Sequence, residues 1–175
     1  MPQIVITAVG TDRPGLVGEF TGHLLAQGAN IADSRMINLK GQFALLILAE
    51  GSEDVVRKIQ EVAPTAGQTI GLSVTVAGQT GTARVVRGVP YRLKTYSMDQ
   101  PGIVHRVSEV LRLAEVNIEE LATKLESAPM AGTPLFTMDM RLTVPPGINI
   151  RKLRADLEAL CNTLNCDLDL EPASS

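Results

Sequence analysis

The chain has 175 residues, of which 45% are hydrophobic and 20% are charged, and its formal net charge is −3. This composition is typical of a globular protein, and the mild acidity argues against a nucleic-acid surface, which needs a basic stripe. No apolar run approaches the roughly 20 residues of a membrane span, and the N-terminus lacks the pattern of a signal peptide. We therefore expect a cytoplasmic protein with no direct contact to nucleic acid or membrane.

The first half of the chain predicts the element order βαββαβ. Two segments place apolar residues at a helical period, and apolar or alternating runs between turn residues indicate strands. Gly28 is expected to end the first helix, Ser52 to cap the second, and Pro64 and Gly67 to break the chain after it. The predicted strands lie at about 3–10, 30–39, 43–49 and 70–77, and the predicted helices at about 14–27 and 53–63.

The second half repeats this order after a stretch rich in Gly and Thr. We interpret residues 79–90 as a linker between a first module at 1–78 and a second module at 91–175. The predicted strands of the second module lie at about 91–98, 117–126, 136–143 and 165–170, and its helices at about 101–114 and 149–163.

A six-residue motif stands where the first strand of each half leads into a helix. Asp12-Arg13-Pro14-Gly15-Leu16-Val17 returns 87 residues later as Asp99-Gln100-Pro101-Gly102-Ile103-Val104, and Asn30-Ile31 returns at the same shift as Asn117-Ile118. Two matches in one register indicate an internal duplication. We expect the Pro at the first helical position and the Asp as an acceptor for first-turn N–H groups. One copy alone would suit a plain capped helix, but two copies favour a binding site, because open N–H groups at a helix start bind carboxylates.

The motif, the Asn-Ile pair and the βαββαβ order together resemble the ACT domain, a small ferredoxin-like regulatory module. Two such modules in one chain are similar to the glycine cleavage system transcriptional repressor family. The resemblance implies an α+β fold of two tandem ferredoxin-like modules, each with an antiparallel sheet and helices on one face. It also implies ligand binding at an interface between modules, through Asp12, Gly15, Leu16, Asn30 and Ile31 in the first copy and Asp99, Gly102, Ile103, Asn117 and Ile118 in the second.

The function that this resemblance implies is that of a non-enzymatic regulator. It would sense a small amino acid, with glycine favoured, and act through a protein client such as a DNA-binding regulator. The alternative is a free-standing regulatory subunit of an enzyme of amino-acid or one-carbon metabolism. No nucleophile motif is present, and Cys161 and Cys166 lack further metal-ligating neighbours, so we expect no catalytic residue, metal or cofactor. Gly18 leaves more room than its counterpart His105, so the first copy is the expected ligand site.

Strand alternation predicts a difference between the outer faces of the two sheets. In the second copy Phe136, Met138, Met140 and Leu142 would face the helices and leave polar residues outside. In the first copy the residues outside would be Ala44, Leu46 and Leu48, joined by Val5 and Val9. A contiguous apolar patch usually marks a contact surface. The linker's Val85-Val86, the other module or a second chain could cover it; we favour a second chain and hence a symmetric homodimer.

Overall fold

The computed structural model describes residues 1–78, 87–127 and 134–173. Within these residues the order βαββαβ occurs twice, as the sequence predicts. The elements are β1 (Gln3–Thr11), α1 (Leu16–Ala26), β2 (Asn30–Leu39), β3 (Gln42–Glu50), α2 (Glu53–Thr69), β4 (Leu72–Ala77), β5 (Val89–Met98), α3 (Ile103–Leu113), β6 (Asn117–Ser127), β7 (Pro134–Val144), α4 (Ile150–Thr163) and β8 (Cys166–Pro172).

Each half of the chain forms its own four-stranded sheet, in the order β2-β3-β1-β4 or β6-β7-β5-β8. Every pair of neighbouring strands is antiparallel. The chain divides into two compact units, Met1–Ala83 and Arg84–Ser175. Of the expected linker, residues 79–86, which include Val85-Val86, lie outside the described residues, and Val89 and Pro90 already belong to β5. The predicted α+β fold with two tandem ferredoxin-like sheets is confirmed.

The core of the first module lies between one face of its sheet and its two helices. Alternate strand residues enter it, among them Ile4 and Ile6 of β1 and Phe43, Leu45 and Ile47 of β3. Helix α1 adds Leu16, Phe20 and Leu24, and α2 adds Val56, Ile59 and Ala63. Val17 and Leu25, which are also apolar, do not enter this core, since they are 43% and 72% exposed. They lie outside the single buried stripe that Leu16, Phe20 and Leu24 form along α1.

Helix α2 runs past both residues that were expected to break it. Pro64 lies inside the helix, which ends at Thr69, so β4 begins at Leu72 rather than at residue 70. Ala63, Ala66 and Gly67 of this last stretch are buried. A Cβ atom on Gly67 would lie 2.2 Å from Cγ2 of Val74 and 3.1 Å from the carbonyl oxygen of Leu72. Gly67 therefore permits a close approach of α2 to β4, and this packing outweighs the local signal to stop.

In the second module the predicted division of β7 between core and solvent is confirmed. Met138, Met140 and Leu142 are buried, and Phe136 packs against the same core from a partly buried position. Helices α3 and α4 cover this face with Ile103, Val107 and Leu111 and with Leu153, Leu157 and Cys161.

Candidate functional site

Both motif loops have the same backbone geometry at the start of their helix. Gly15 and Gly102 are the N-cap residues, with φ angles of 92° and 93°, in the left-handed region that glycine adopts readily. The first helical bonds run from the N–H of Glu19 to the carbonyl of Gly15 and from the N–H of Arg106 to the carbonyl of Gly102, each at 2.9 Å. The helices thus begin at Leu16 and Ile103, and the expectation that Pro14 and Pro101 are the first helical residues was wrong.

The capping role expected for the aspartates was also wrong. Within the described residues no side chain caps α1 or α3, whereas the Ser52 hydroxyl accepts from the Val55 N–H of α2 and the Asn149 amide oxygen accepts from two N–H groups of α4. The first N–H groups of a helix have no partner within the helix itself. The two helices that follow the motif therefore present open N–H groups at their positively polarised ends, a suitable place for a carboxylate.

The Asp12 side chain holds the neighbouring hairpin instead of the helix. Its Oδ2 accepts a hydrogen bond from the side-chain amide of Asn38, near the end of β2. The Asp12 N–H donates to the Gly41 carbonyl over 2.8 Å, and the Gly41 N–H donates to Oδ1 of Asn38 over 3.2 Å. These three bonds form a closed ring between the motif loop and the β2–β3 turn. The ring fixes the carboxylate of Asp12 beside the start of α1.

The second motif residue anchors each loop to the helix that follows β3 or β7. The Arg13 guanidinium makes two bonds of 2.7 Å to the carboxylate of Glu19 and a longer one of 3.4 Å to the carbonyl of Ile70, the C-cap of α2. Its hydrogen bonds lower the pKa of Glu19. In the second module Gln100 donates to the carbonyl of Leu164, the C-cap of α4. Different side chains thus tie the two loops to equivalent points.

A cavity of about 320 Å³ lies beside the first motif loop. Its walls are the motif from Asp12 to Gly18, together with Met36 of β2 and Phe43 of β3. A Cβ atom on Gly18 would meet nothing within 4 Å, so the first turn of α1 is open on this side. The Leu16 side chain is 2% exposed and belongs to the core, which leaves its backbone N–H as the group available to a ligand.

The predicted site residues at the start of β2 and β6 lie at the far end of their sheets from the motif loops. Asn30 is level with Glu50 and Gln3, whereas the end of β2 is level with Thr11, next to Asp12. Nine residues of strand separate the two ends, which is roughly 30 Å. The Asn30 amide donates to Glu50 over 3.0 Å, and the Asn117 amide donates to Glu119 over 2.7 Å. Within one module, therefore, Asn30 and Ile31 do not join Asp12, Gly15 and Leu16, nor do Asn117 and Ile118 join Asp99, Gly102 and Ile103.

Three residues around the first motif loop were not predicted as site residues. Met36 and Phe43 line the cavity, and Asn38 holds Asp12. Asn38 has no sequence signal of its own, because it is 26 residues from Asp12 and reaches it only through the fold of the β2–β3 hairpin.

The outer faces of the two sheets differ as the strand alternation predicts. In the first module Leu46 is 46% exposed and pairs with Thr7 of β1, while Leu48 beside it pairs with Val5. Exposed Val9, Ile37 and Leu39 extend this apolar surface, which we call the outer face of the first module. On the second module Arg92 and Asp139 form an ion pair of 2.5 Å on the corresponding face, and Arg141 of β7 pairs there with Glu120 at 3.5 Å.

Three observations on the described residues concern metal ligands, membrane-crossing helices and cysteines. No group of three or more His, Cys, Asp or Glu among them could hold a metal. None of their helices has the length and apolar character needed to cross a membrane. Cys161 and Cys166 are free and buried, and burial, with the neighbouring Cys166, raises the pKa of Cys161 from 9.0 to about 12. The Cys161 thiol is therefore protonated at neutral pH.

Known proteins resemble this chain over one module or over both. The sequence model of the ACT domain matches residues 2–77. Over 162 residues the chain is 26% identical to the glycine cleavage system transcriptional repressor of Escherichia coli K12. The aligned residues make up 93% of this chain and 85% of that protein. A UPF0237 protein of Methanopyrus kandleri is 38% identical over 78 residues, which make up 43% of this chain and 87% of that protein.

Two solved structures match the whole chain. An unknown protein from Galdieria sulphuraria has a TM-score of 0.85 and 29% identity over 99% of both chains. A structure provisionally named a glycine cleavage system transcriptional repressor has a TM-score of 0.75 and 24% identity over 99% of this chain and 98% of that one. Together with this fold, the ACT domain match at residues 2–77 and the E. coli relative confirm the predicted resemblance to tandem ACT proteins.

Proposed function

Because this chain belongs to the ACT domain family, we propose that it is a non-catalytic regulator that senses a small amino acid at the motif loop of its first module. The uncapped start of α1 beside the cavity carries the proposal. A ligand carboxylate would accept from the open N–H groups between Leu16 and Gly18. The Oδ1 atom of Asp12, whose other oxygen is held by Asn38, would accept from the ligand ammonium.

Glycine is the favoured ligand. The E. coli relative that matches most of the chain is named a glycine cleavage system transcriptional repressor. The open side of Gly18 lets a ligand backbone approach the first turn of α1, so that binding there does not require a ligand side chain. The second motif has His105 where the first has Gly18, so the first turn of α3 is more crowded, and we assign the ligand to the first module.

The residues at the start of β2 can contribute to the proposed ligand site only across an interface between two copies. β2 is an edge strand and is exposed at all ten positions. If two β2 edges paired antiparallel, the start of one strand would lie beside the end of the other. Asn30 and Ile31 of one copy would then face the motif loop of the next, and Asn117 and Ile118 would stand in the same relation to Asp99, Gly102 and Ile103.

We propose a protein client, such as a DNA-binding regulator, as the route to transcription. The net charge of −3 suits a protein partner better than a phosphate backbone. The two free, buried cysteines are consistent with a cytoplasmic location. Affinity capture with the tagged full chain tests this choice. Recovery of a DNA-binding protein supports it, whereas recovery of an enzyme of amino-acid or one-carbon metabolism supports the alternative of a regulatory subunit.

Calorimetric titration and thermal melts with each common amino acid test the ligand. Glycine at a hundredfold excess over its dissociation constant should stabilise the fold by roughly 2.7 kcal/mol. Asp12→Ala should abolish most of this response, and Asp99→Ala, the matched change in the other copy, should leave most of it. If Asp99→Ala has the larger effect, the ligand belongs to the second module, and a flat response to all amino acids would refute the sensor.

The outer face of the first module is our proposed homodimer surface. The positions of Leu46 and Leu48 correspond in the second module to Asp139 and Arg141, so the fold accepts charges there. Leu46→Asp with Leu48→Arg should therefore give a folded monomer in sedimentation experiments, while Leu25→Asp, on the helix side, should leave a dimer. A wild-type chain that sediments as a monomer would refute this surface.

A further inference from the structure

The two modules differ in how the second helix begins. In the first module α2 has 17 residues and follows β3 after residues 51–52, whereas in the second α4 has 14 residues and follows β7 after residues 145–149. The first turn of α2 brings Val56 into the core, at 5% exposure, and sets Val55 against the end of α1, where its Cγ2 is 3.5 Å from the Cβ position of Gly28. α4 lacks this turn.

A cavity of about 400 Å³ opens at the corresponding place in the second module. Val110 and Leu113 from the end of α3 form one wall, and Ile148 and Leu153 form the other. We call it the α3–α4 crevice. It lies at the opposite end of α3 from the second motif loop, and the proposed glycine site is in the first module, so the crevice is distinct from both motif loops. Its size is within the range of small-molecule sites, about 300–1,000 Å³.

Two opposite charges stand at the rim of this apolar crevice. Lys152 and Asp156 both line it, one helical turn apart on α4. Neither enters an ion pair with another of the described residues. Two N–H groups at the start of α4 are already satisfied, because Oδ1 of Asn149 accepts from Arg151 and Lys152 at 3.1 Å. An anion in the crevice would therefore pair with the Lys152 ammonium rather than with the helix end.

We propose that the α3–α4 crevice binds an α-amino acid with a large apolar side chain, such as leucine or phenylalanine. The ligand carboxylate pairs with Lys152, its ammonium pairs with Asp156, and its side chain covers the apolar walls. A fatty acid would leave Asp156 without a partner, and an apolar amine would leave Lys152 without one. Glycine has no side chain to bury and gains little here. The second module thereby responds to a different class of amino acid from the first.

Leucine and two analogues, titrated into the full chain and followed by calorimetry, test the assignment. Leucinamide lacks the carboxylate and 4-methylpentanoate lacks the ammonium, so each should bind about tenfold more weakly than leucine. Lys152→Met should weaken leucine about tenfold and leave leucinamide unchanged. Asp156→Asn should weaken leucine to the same extent and leave 4-methylpentanoate unchanged. Both side chains are exposed, so these variants should fold, and thermal melts verify it.

The same titrations separate this site from the proposed glycine site. Leucine should still bind the Asp12→Ala variant, and glycine should not displace it. If leucine binding instead disappears in Asp12→Ala or Asp99→Ala and survives in the Lys152 and Asp156 variants, a motif loop holds the ligand and the crevice proposal fails. Equal affinity for leucine and both analogues, or no binding of any large apolar amino acid, would also overturn it.

Discussion

Replacement of Gly67 by alanine measures how closely α2 approaches β4. The new Cβ would lie 2.2 Å from Cγ2 of Val74 and 3.1 Å from the backbone oxygen of Leu72, so the helix or the strand has to move by more than 1 Å to restore ordinary contact at about 3.4 Å or beyond. Overpacking of this kind costs about 1–3 kcal/mol, and the better helix propensity of alanine returns about 1 kcal/mol. We therefore expect Gly67→Ala to lower the free energy of unfolding by up to about 2 kcal/mol.

Gly22 provides the matched control in the same module. It lies in the middle of α1, and a Cβ atom there would meet nothing within 4 Å. Gly22→Ala should therefore raise the free energy of unfolding by up to about 1 kcal/mol. Urea denaturation followed by circular dichroism should place the two variants on opposite sides of wild type.

The double variant Gly67→Ala with Val74→Ala locates the clash. Removal of Cγ2 from position 74 relieves the shorter contact, so Gly67→Ala should cost less in that background, with a coupling energy of about 1 kcal/mol or more. If Gly67→Ala is more stable than wild type, as Gly22→Ala should be, the last turns of α2 do not press on β4, and our explanation for the continuous helix is wrong.

Two further predictions concern the motif loop and the buried thiols. Arg13→Gln gives the first loop the residue type that anchors the second loop, where Gln100 stands. Calorimetry should therefore show glycine binding close to that of wild type for Arg13→Gln and several-fold weaker binding for Arg13→Ala. Equal losses of affinity in the two variants would show that the anchor to Ile70 is unimportant. Because the pKa of Cys161 is about 12 in the folded chain against an ordinary 9.0, the unfolded state loses this proton first, and stability should fall as the pH rises from about 9 towards 12. Urea titrations between pH 8 and 10 should show a shallower decline for Cys161→Ala; parallel declines would place the titrating group elsewhere.

Local periodicity was sufficient to predict the fold, because each element carries its own apolar pattern. It failed where a distant contact decided the outcome. Pro64 and Gly67 carry a local signal to stop a helix, yet the packing of Ala63, Ala66 and Gly67 carries α2 on to Thr69. The Pro of each motif was expected inside the helix because Pro is common there, but Gly15 in the left-handed region moves the helix start to Leu16.

In the candidate site, too, local sequence predicted the grouping of neighbouring residues but not the contacts between distant ones. Asp12, Gly15 and Leu16 are neighbours in sequence, so their grouping around one helix start could be predicted and the structure places them together. The capping role of Asp12 could not be tested by spacing alone, because its actual partner, Asn38, comes from a different strand. The distance between Asn30 and Asp12 likewise depends on strand register, which local sequence does not specify.

The ring that joins Asp12, Asn38 and Gly41 makes the β2–β3 hairpin a reporter for the motif loop. The Gly41 N–H is held only through the Asn38 amide, which in turn is held by the carboxylate expected to meet the ligand. Lys40 and Gly41 have φ angles of 50° and 82°, as a type I′ hairpin turn requires, and Lys40 adopts this left-handed region less readily than glycine does. Any event that immobilises Asp12 will slow hydrogen exchange at Gly41. A signal that begins at the start of α1 can thus be detected at the tip of a hairpin, on a surface that another protein can reach without entering the pocket.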